Sequence, residues 1–213
     1  MRNLSALGKV QWLLILVCGL VSTAALAANK TEQQFAADSP HAVVEKVTND
    51  MMKVIQSGQK ELQENPKQYF ATIRATLEST VSFEFIAKNV MSKYWGQATE
   101  KQQQQFTETF TTSMVQTLGK GMANYTDLKI KTLPPESDTS SVKRVEVLQE
   151  VEGADGTSRI SYTMAKNRTG EWKLINVVLN GVNLGKSYRD QFIQAMKQNN
   201  NDIDKVIASW VKG

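Results

Sequence analysis

Cysteine and histidine are almost missing from this chain, and proline is scarce: its 213 residues hold one Cys, one His and four Pro. With Cys18 alone there is no internal disulfide, so the fold must rest on its core. A single histidine, His41, excludes any metal site built on two imidazoles and leaves Ser-His or Cys-His catalysis with one candidate. His41 stands beside a polar tether at the start of a helix, where the sequence predicts solvent exposure. No glycine-rich phosphate loop, nucleophile elbow or HExxH helix occurs. Acids are plentiful, but Glu84, between Phe83 and Phe85, is the one that interrupts an apolar run, and helical spacing turns it to water.

Long hydrophobic runs are also lacking. The stretch from Trp12 to about Val21 is half of the roughly 20 residues that span a bilayer. It follows Arg2 and Lys9 and precedes Ala25-Leu26-Ala27, the pattern of a secretory signal cleaved after Ala27. Val17 stands before Cys18 where lipidation needs a small residue. Residues 1–27 are thus expected to be a signal peptide and 28–213 one exported, periplasmic domain. Removing Arg2 and Lys9, and no acid, lowers the formal charge from +4 to +2. This is no footprint for nucleic acid. The remaining 186 residues suffice for a substantial core, and the domain is expected to be a monomer.

Residues 28–39 read as a tether. Pro40 opens a helix carrying Val43, Val44, Val47, Met51, Val54 and Ile55. Gly58 and Asn65-Pro66 punctuate, a second helix runs over 66–78, and a third over 83–95. Thr99 and Gln102 form a capping box for a long helix. Along it Phe106, Phe110, Met114, Leu118 and Met122 recur every four residues, so the apolar stripe drifts round the helix by about 40° per step.

After Tyr125 the period changes to two. Strands are expected over 128–133, 142–151, around Ile160, Tyr162 and Met164, and over 172–179, with turns at 153–156 and 167–170. In the last strand Leu174 and Val178 are expected on one face, and Ile175, Val177 and Leu179 on the other. A strand apolar on both faces needs two covers. Helices over 184–197 and from 203 close the chain. The predicted fold is α+β: a four-stranded antiparallel sheet packed with helices in a cone-like arrangement of the nuclear-transport-factor type.

Flexible and aromatic apolar bulk is what the chain has in quantity. Met91, Met114, Met122, Met164 and Met196 fall on elements expected to face one another, and methionine adapts to irregular shapes. Together with the two-faced strand and the drifting stripe, this fits an apolar cavity lined by helix and sheet. Candidate wall residues are Tyr94, Trp95, Phe110, Met114 and Leu118 from the helices, and Val147, Tyr162, Met164 and Val178 from the strands. Val182 at the Gly181 corner, with Tyr188 and Phe192 beyond it, completes the set.

Val81-Ser82-Phe83, the segment Lys93-Tyr94-Trp95-Gly96-Gln97-Ala98-Thr99 and the pair Phe106 and Phe110 resemble the central block of the MlaC-type, or toluene-tolerance, periplasmic phospholipid-binding family. Gly170-Glu171-Trp172-Lys173-Leu174, Asn180-Gly181-Val182-Asn183-Leu184 and Ser187-Tyr188-Arg189-Asp190-Gln191-Phe192 continue the likeness, which runs from about Pro40 to the C-terminus. The chain departs from the family pattern at Ser82 and Asn176, where Asp is usual, at Ser92, where Gly is usual, and at Asn183, where Ser is usual.

The resemblance implies an internal phospholipid pocket and no cofactor beyond that cargo. It implies exchange with an inner-membrane ABC transporter bearing an MCE-domain subunit and with an outer-membrane lipoprotein–porin complex, in support of outer-membrane lipid asymmetry. Lys88, Lys93 and Lys186 are candidates for reading such partners. Two other readings stay open: a cone-fold enzyme acting on a small apolar substrate, with Tyr162 and Asn176 as its polar groups, and an adaptor or chaperone with a solid core.

Overall fold

The computed structural model describes residues 35–154 and 156–210; the residues read as a signal peptide and most of those read as a tether lie outside them. Ser39 caps α1 (Pro40–Ser57) by accepting from the Ala42 amide, with Pro40 in the first turn. A short α2 (Gln59–Glu64) follows, then α3 (Pro66–Glu78), capped by the Asn65 side chain. α4 (Phe83–Met91) continues as a 3₁₀ segment (Ser92–Gln97), and α5 (Glu100–Met122) begins at the full Thr99–Gln102 capping box. The chain then forms β1 (Lys129–Thr132), β2 (Arg144–Gly153), β3 (Gly156–Lys166), β4 (Trp172–Leu179) and β5 (Val182–Asn183). Finally α6 (Leu184–Gln198) and α7 (Ile203–Trp210) return over the helical layer.

The sheet is an antiparallel meander in the order β1-β2-β3-β4-β5. The α+β class stands, with a fifth strand added to the four expected. β5 has two residues, too few for alternation to reveal. It pairs Val182 with Leu179 and Asn183 with Val178 across a corner where Asn180 and Gly181 both take positive φ, 47° and 82°.

The third helix is divided rather than continuous. Ser92, at φ 54° and ψ −125°, ends α4. A side chain there is strained, and the helical spacing of the apolar residues on either side hides the break.

β4 also differs from its expected facing. Between Thr163 and Met164 the pairing steps from Asn176 to Leu174, which leaves Ile175 as an extra residue. Leu174 therefore lies opposite Met164 and Val178 opposite Ser161. Met164 and Ser161 are on opposite faces, so Leu174 and Val178 are too. Leu174 shares its face with Val177 and Leu179, the partners of Tyr162 and Ile160.

α1 packs on β1 and β2, while α4 and α6 pack on β4. α5 packs on α3, α4 and α7. Val81, between α3 and α4, bridges in parallel to Leu174 and anchors the helical layer to the sheet.

Candidate functional site

The apolar interior falls into three packets. The first gathers Phe83, Ile86, Phe106, Phe110, Phe192 and Met196 from α4, α5 and α6, with Val206 and Ile207 of α7. Its rings meet edge to face: Phe106 with Phe192 at 4.9 Å and with Trp210 at 5.4 Å. The second sits between α1, α3 and α5 around Met51, Ile55, Tyr69, Ile73 and Val115. The third joins α1 to the sheet through Val44, Val147, Met164 and Trp172. Leu77 borders the first and second packets, and Leu174 the first and third.

The twelve wall candidates divide among these packets. Tyr94, Phe110 and Phe192 are buried in the first, with Trp95, Met114 and Tyr188 half-buried at its margin. The Tyr188 ring stands edge to face on Phe110 at 5.4 Å. Leu118 is half-buried at the margin of the second. Val147 and Met164 are buried in the third, with Tyr162 half-buried beside them. Val178 is half-buried on the opposite sheet face, and Val182, 55% exposed, shares the face of Leu179 at the sheet's end.

A polar group is set into the third packet's sheet face. The buried Gln149 amide donates to Thr132 Oγ1 at 3.0 Å, and its side chain also bonds to Thr48 Oγ1 of α1. Val147 and Tyr162 sit next to it in the register. Burial pushes the Tyr162 phenol up to about 12, against the opposing effect of a hydrogen bond with Thr48. The group is internally satisfied, so it pins α1 to the sheet. Asn176, paired with Thr163, lies on the other face from Tyr162. The two polar groups that the enzyme reading would need to converge in one pocket therefore lie on opposite faces of the sheet.

His41 is buried, 2% exposed, where the sequence reading placed it in solvent. Its ring packs on Phe35 at a centroid distance of 5.2 Å. Phe35 lies in the stretch read as tether, so a tether aromatic supplies the cover that periodicity did not foresee. Burial holds the imidazole below its ordinary value. Glu84 is exposed, as expected. Among the described residues no three His, Cys, Asp or Glu side chains are placed to hold a metal, and no helix is long and apolar enough to cross a membrane.

Two surface clefts were not anticipated, because each joins segments far apart in sequence. One, of about 580 Å³, lies between α1, the end of α3 and the β3–β4 turn, with Trp172 among its lining residues. The other, of about 410 Å³, lies between α4, β4 and the start of α6. Neither is lined by any of the twelve candidates. Lys186 borders the second, and Lys93 stacks on the Tyr94 ring at 5.1 Å.

An antiparallel sheet with helices packed on it is a fold shared with a solved phospholipid-binding protein. The structure of the Ralstonia solanacearum phospholipid-binding protein in complex with a phospholipid superposes with a TM-score of 0.70. It covers 80% of this chain and 97% of that one at 20% identity, a likeness of fold. Residues 45–212 match the family described as MlaC protein. The toluene tolerance protein ttg2D of Pseudomonas putida is 36% identical over 177 residues, 82% of this chain and 81% of that one. The intermembrane phospholipid transport system binding protein MlaC of Haemophilus influenzae is 25% identical over 157 residues, 72% and 73% of the two chains. The chain belongs to the MlaC family.

Proposed function

We propose that this protein is a periplasmic phospholipid carrier without catalytic activity, working as a monomer between an inner-membrane ABC transporter with an MCE-domain subunit and an outer-membrane lipoprotein–porin complex. The observation that carries the reading is the divided interior. Three apolar packets meet at Leu77 and Leu174, and half-buried Met114, Leu118, Tyr162 and Tyr188 stand at their margins. Parting the packets along these borders would expose apolar side chains, which is what acyl chains need.

Burying a tail recovers about 0.8 kcal/mol per CH₂, so two tails are worth on the order of 20 kcal/mol gross. A carrier has only to match the bilayer's environment for the tails and then release them at a docking partner. The head group can stay in water, in keeping with the chain's modest net charge of +4 before signal removal. Membership of the family, and similarity to the intermembrane phospholipid transport system binding protein of Haemophilus influenzae, support the same conclusion.

The test is transfer of a fluorescent phospholipid from donor to acceptor vesicles by delipidated mature protein. The expected result is transfer in proportion to protein concentration. No transfer and no uptake would remove the carrier reading.

A further inference from the structure

The cleft between α4, β4 and the start of α6 is a second place where this molecule is equipped to bind. Its volume is about 410 Å³, and Ile86, Val90 and Ile175 give it an apolar wall. Phe85 stands at its edge with 45% of its surface exposed, one of few large apolar side chains left in solvent among the described residues. Three cations, Arg144, Lys186 and Arg189, line it against one acid, Asp190, for a net charge of +2. The larger cleft has the opposite balance. Asp38, Asp50 and Glu171 outweigh Lys46 and Lys173 there, and Asp50 is paired with Lys46.

The cations are arranged rather than scattered. Arg189 Nε donates to the Asn89 carbonyl at 2.9 Å, which joins α6 to α4 and leaves the terminal guanidinium nitrogens for another acceptor. Lys186 and Asp190 pair at 2.8 Å, so the two offset each other and the net positive charge of the cleft rests on Arg144 and Arg189, with Lys186 free to exchange its partner. The first amides of α6 are already taken: Gly185 N donates to Asn176 Oδ1 and Lys186 N to Asn183 Oδ1. The attraction for an anion therefore comes from side chains.

We propose that this cleft docks an acidic protein segment that carries an apolar side chain: the apolar group enters beside Phe85 and Ile86, and its flanking carboxylates meet Arg144, Lys186 and Arg189. A concave site of this size accepts one or two side chains. A bilayer is instead met by a broad apolar face with basic residues around it, so a protein segment suits this cleft better than a membrane. The proposal does not depend on what cargo the interior holds.

The test uses the mature chain and a fluorescein-labelled peptide of alternating Asp, Glu and Leu, read by anisotropy, with phosphatidylglycerol vesicles in a parallel arm. The expected result is saturable peptide binding that weakens as salt rises, because surface charge attraction is screened. The double variant Arg144→Glu with Lys186→Glu should weaken it about tenfold or more, and Phe85→Ser about fivefold. Lys60→Glu, on the exposed face of α2, should leave it unchanged. Phospholipid content, measured on the same variants, should stay at the wild-type level, so a failure of docking is separable from a failure of the carrier reading. The proposal is overturned if wild-type protein ignores the peptide, if the cleft variants bind as wild type does, or if the vesicles bind and the peptide does not.

Discussion

The Gly185 amide donates to Asn176 Oδ1 at 3.2 Å, and a Cβ built on Gly185 would lie 2.5 Å from that same oxygen. One contact therefore fixes the middle of β4 to the start of α6, and it demands both the acceptor at 176 and the bare backbone at 185. Asn176→Ala leaves a half-buried amide without its partner and is expected to cost about 1–2 kcal/mol. Gly185→Ala drives a methyl into the acceptor and should cost a similar amount. In the double variant the methyl meets no oxygen, so the combined cost should fall short of the sum of the two. Urea unfolding of the four proteins measures this; strict additivity would mean the contact carries no coupling.

Ser92 marks a cost that the chain carries where α4 ends. It sits at φ 54°, ψ −125° between α4 and the 3₁₀ segment. Ser92→Gly relieves the Cβ strain and is expected to stabilise the fold by about 1 kcal/mol, net of glycine's greater freedom in the unfolded chain. A higher midpoint with an unchanged denaturant slope is the expected outcome; a lower midpoint would show that the serine is not strained.

His41 gives stability a pH dependence of definite sign. Burial lowers its folded-state pKa below the ordinary 6.5, so the unfolded chain takes up its proton first as pH falls. The neutral ring's contribution is complete above about pH 6.5 and is lost as pH drops from there through the lowered folded value. Thermal melts from pH 8 to pH 5 should show wild type losing more stability than His41→Gln. Parallel curves would contradict the burial.

Much of this molecule is legible in its sequence because local chemistry and tertiary packing agree. The Thr99–Gln102 capping box starts α5 where it is seen, Pro66 starts α3, and Gly153 and Gly156 face each other across their hairpin. The α+β order follows from the change of period after Tyr125. What was not legible is decided by geometry without a periodic signature. Ile175 reverses the facing of Leu174 relative to Val178 as one extra residue, and Ser92 breaks a helix inside an apolar run. His41 is buried by Phe35, six residues earlier, and the α4–α6 cleft unites residues as distant as Phe85 and Lys186. The wall candidates rest on apolar character, which marks interior residues but not which packet each joins.

Val182 separates a cavity wall from plain surface. With 55% of it exposed, Val182→Glu should fold within about 0.5 kcal/mol of wild type. If the Gly181 corner borders the tails, the variant retains little co-purifying phospholipid despite normal abundance and a cooperative melt. A full lipid load would move the wall away from this corner. Phe106→Ala, a truncation deep in the first packet, is the contrasting case and should cost about 3–5 kcal/mol.

Native mass spectrometry of the mature protein, purified from periplasm without detergent, tests the carrier account most directly. The account predicts a species heavier than the polypeptide by one phospholipid, which organic extraction removes and incubation with phospholipid vesicles restores. Protein that emerges empty in repeated preparations, and takes up no phospholipid after extraction, would contradict it.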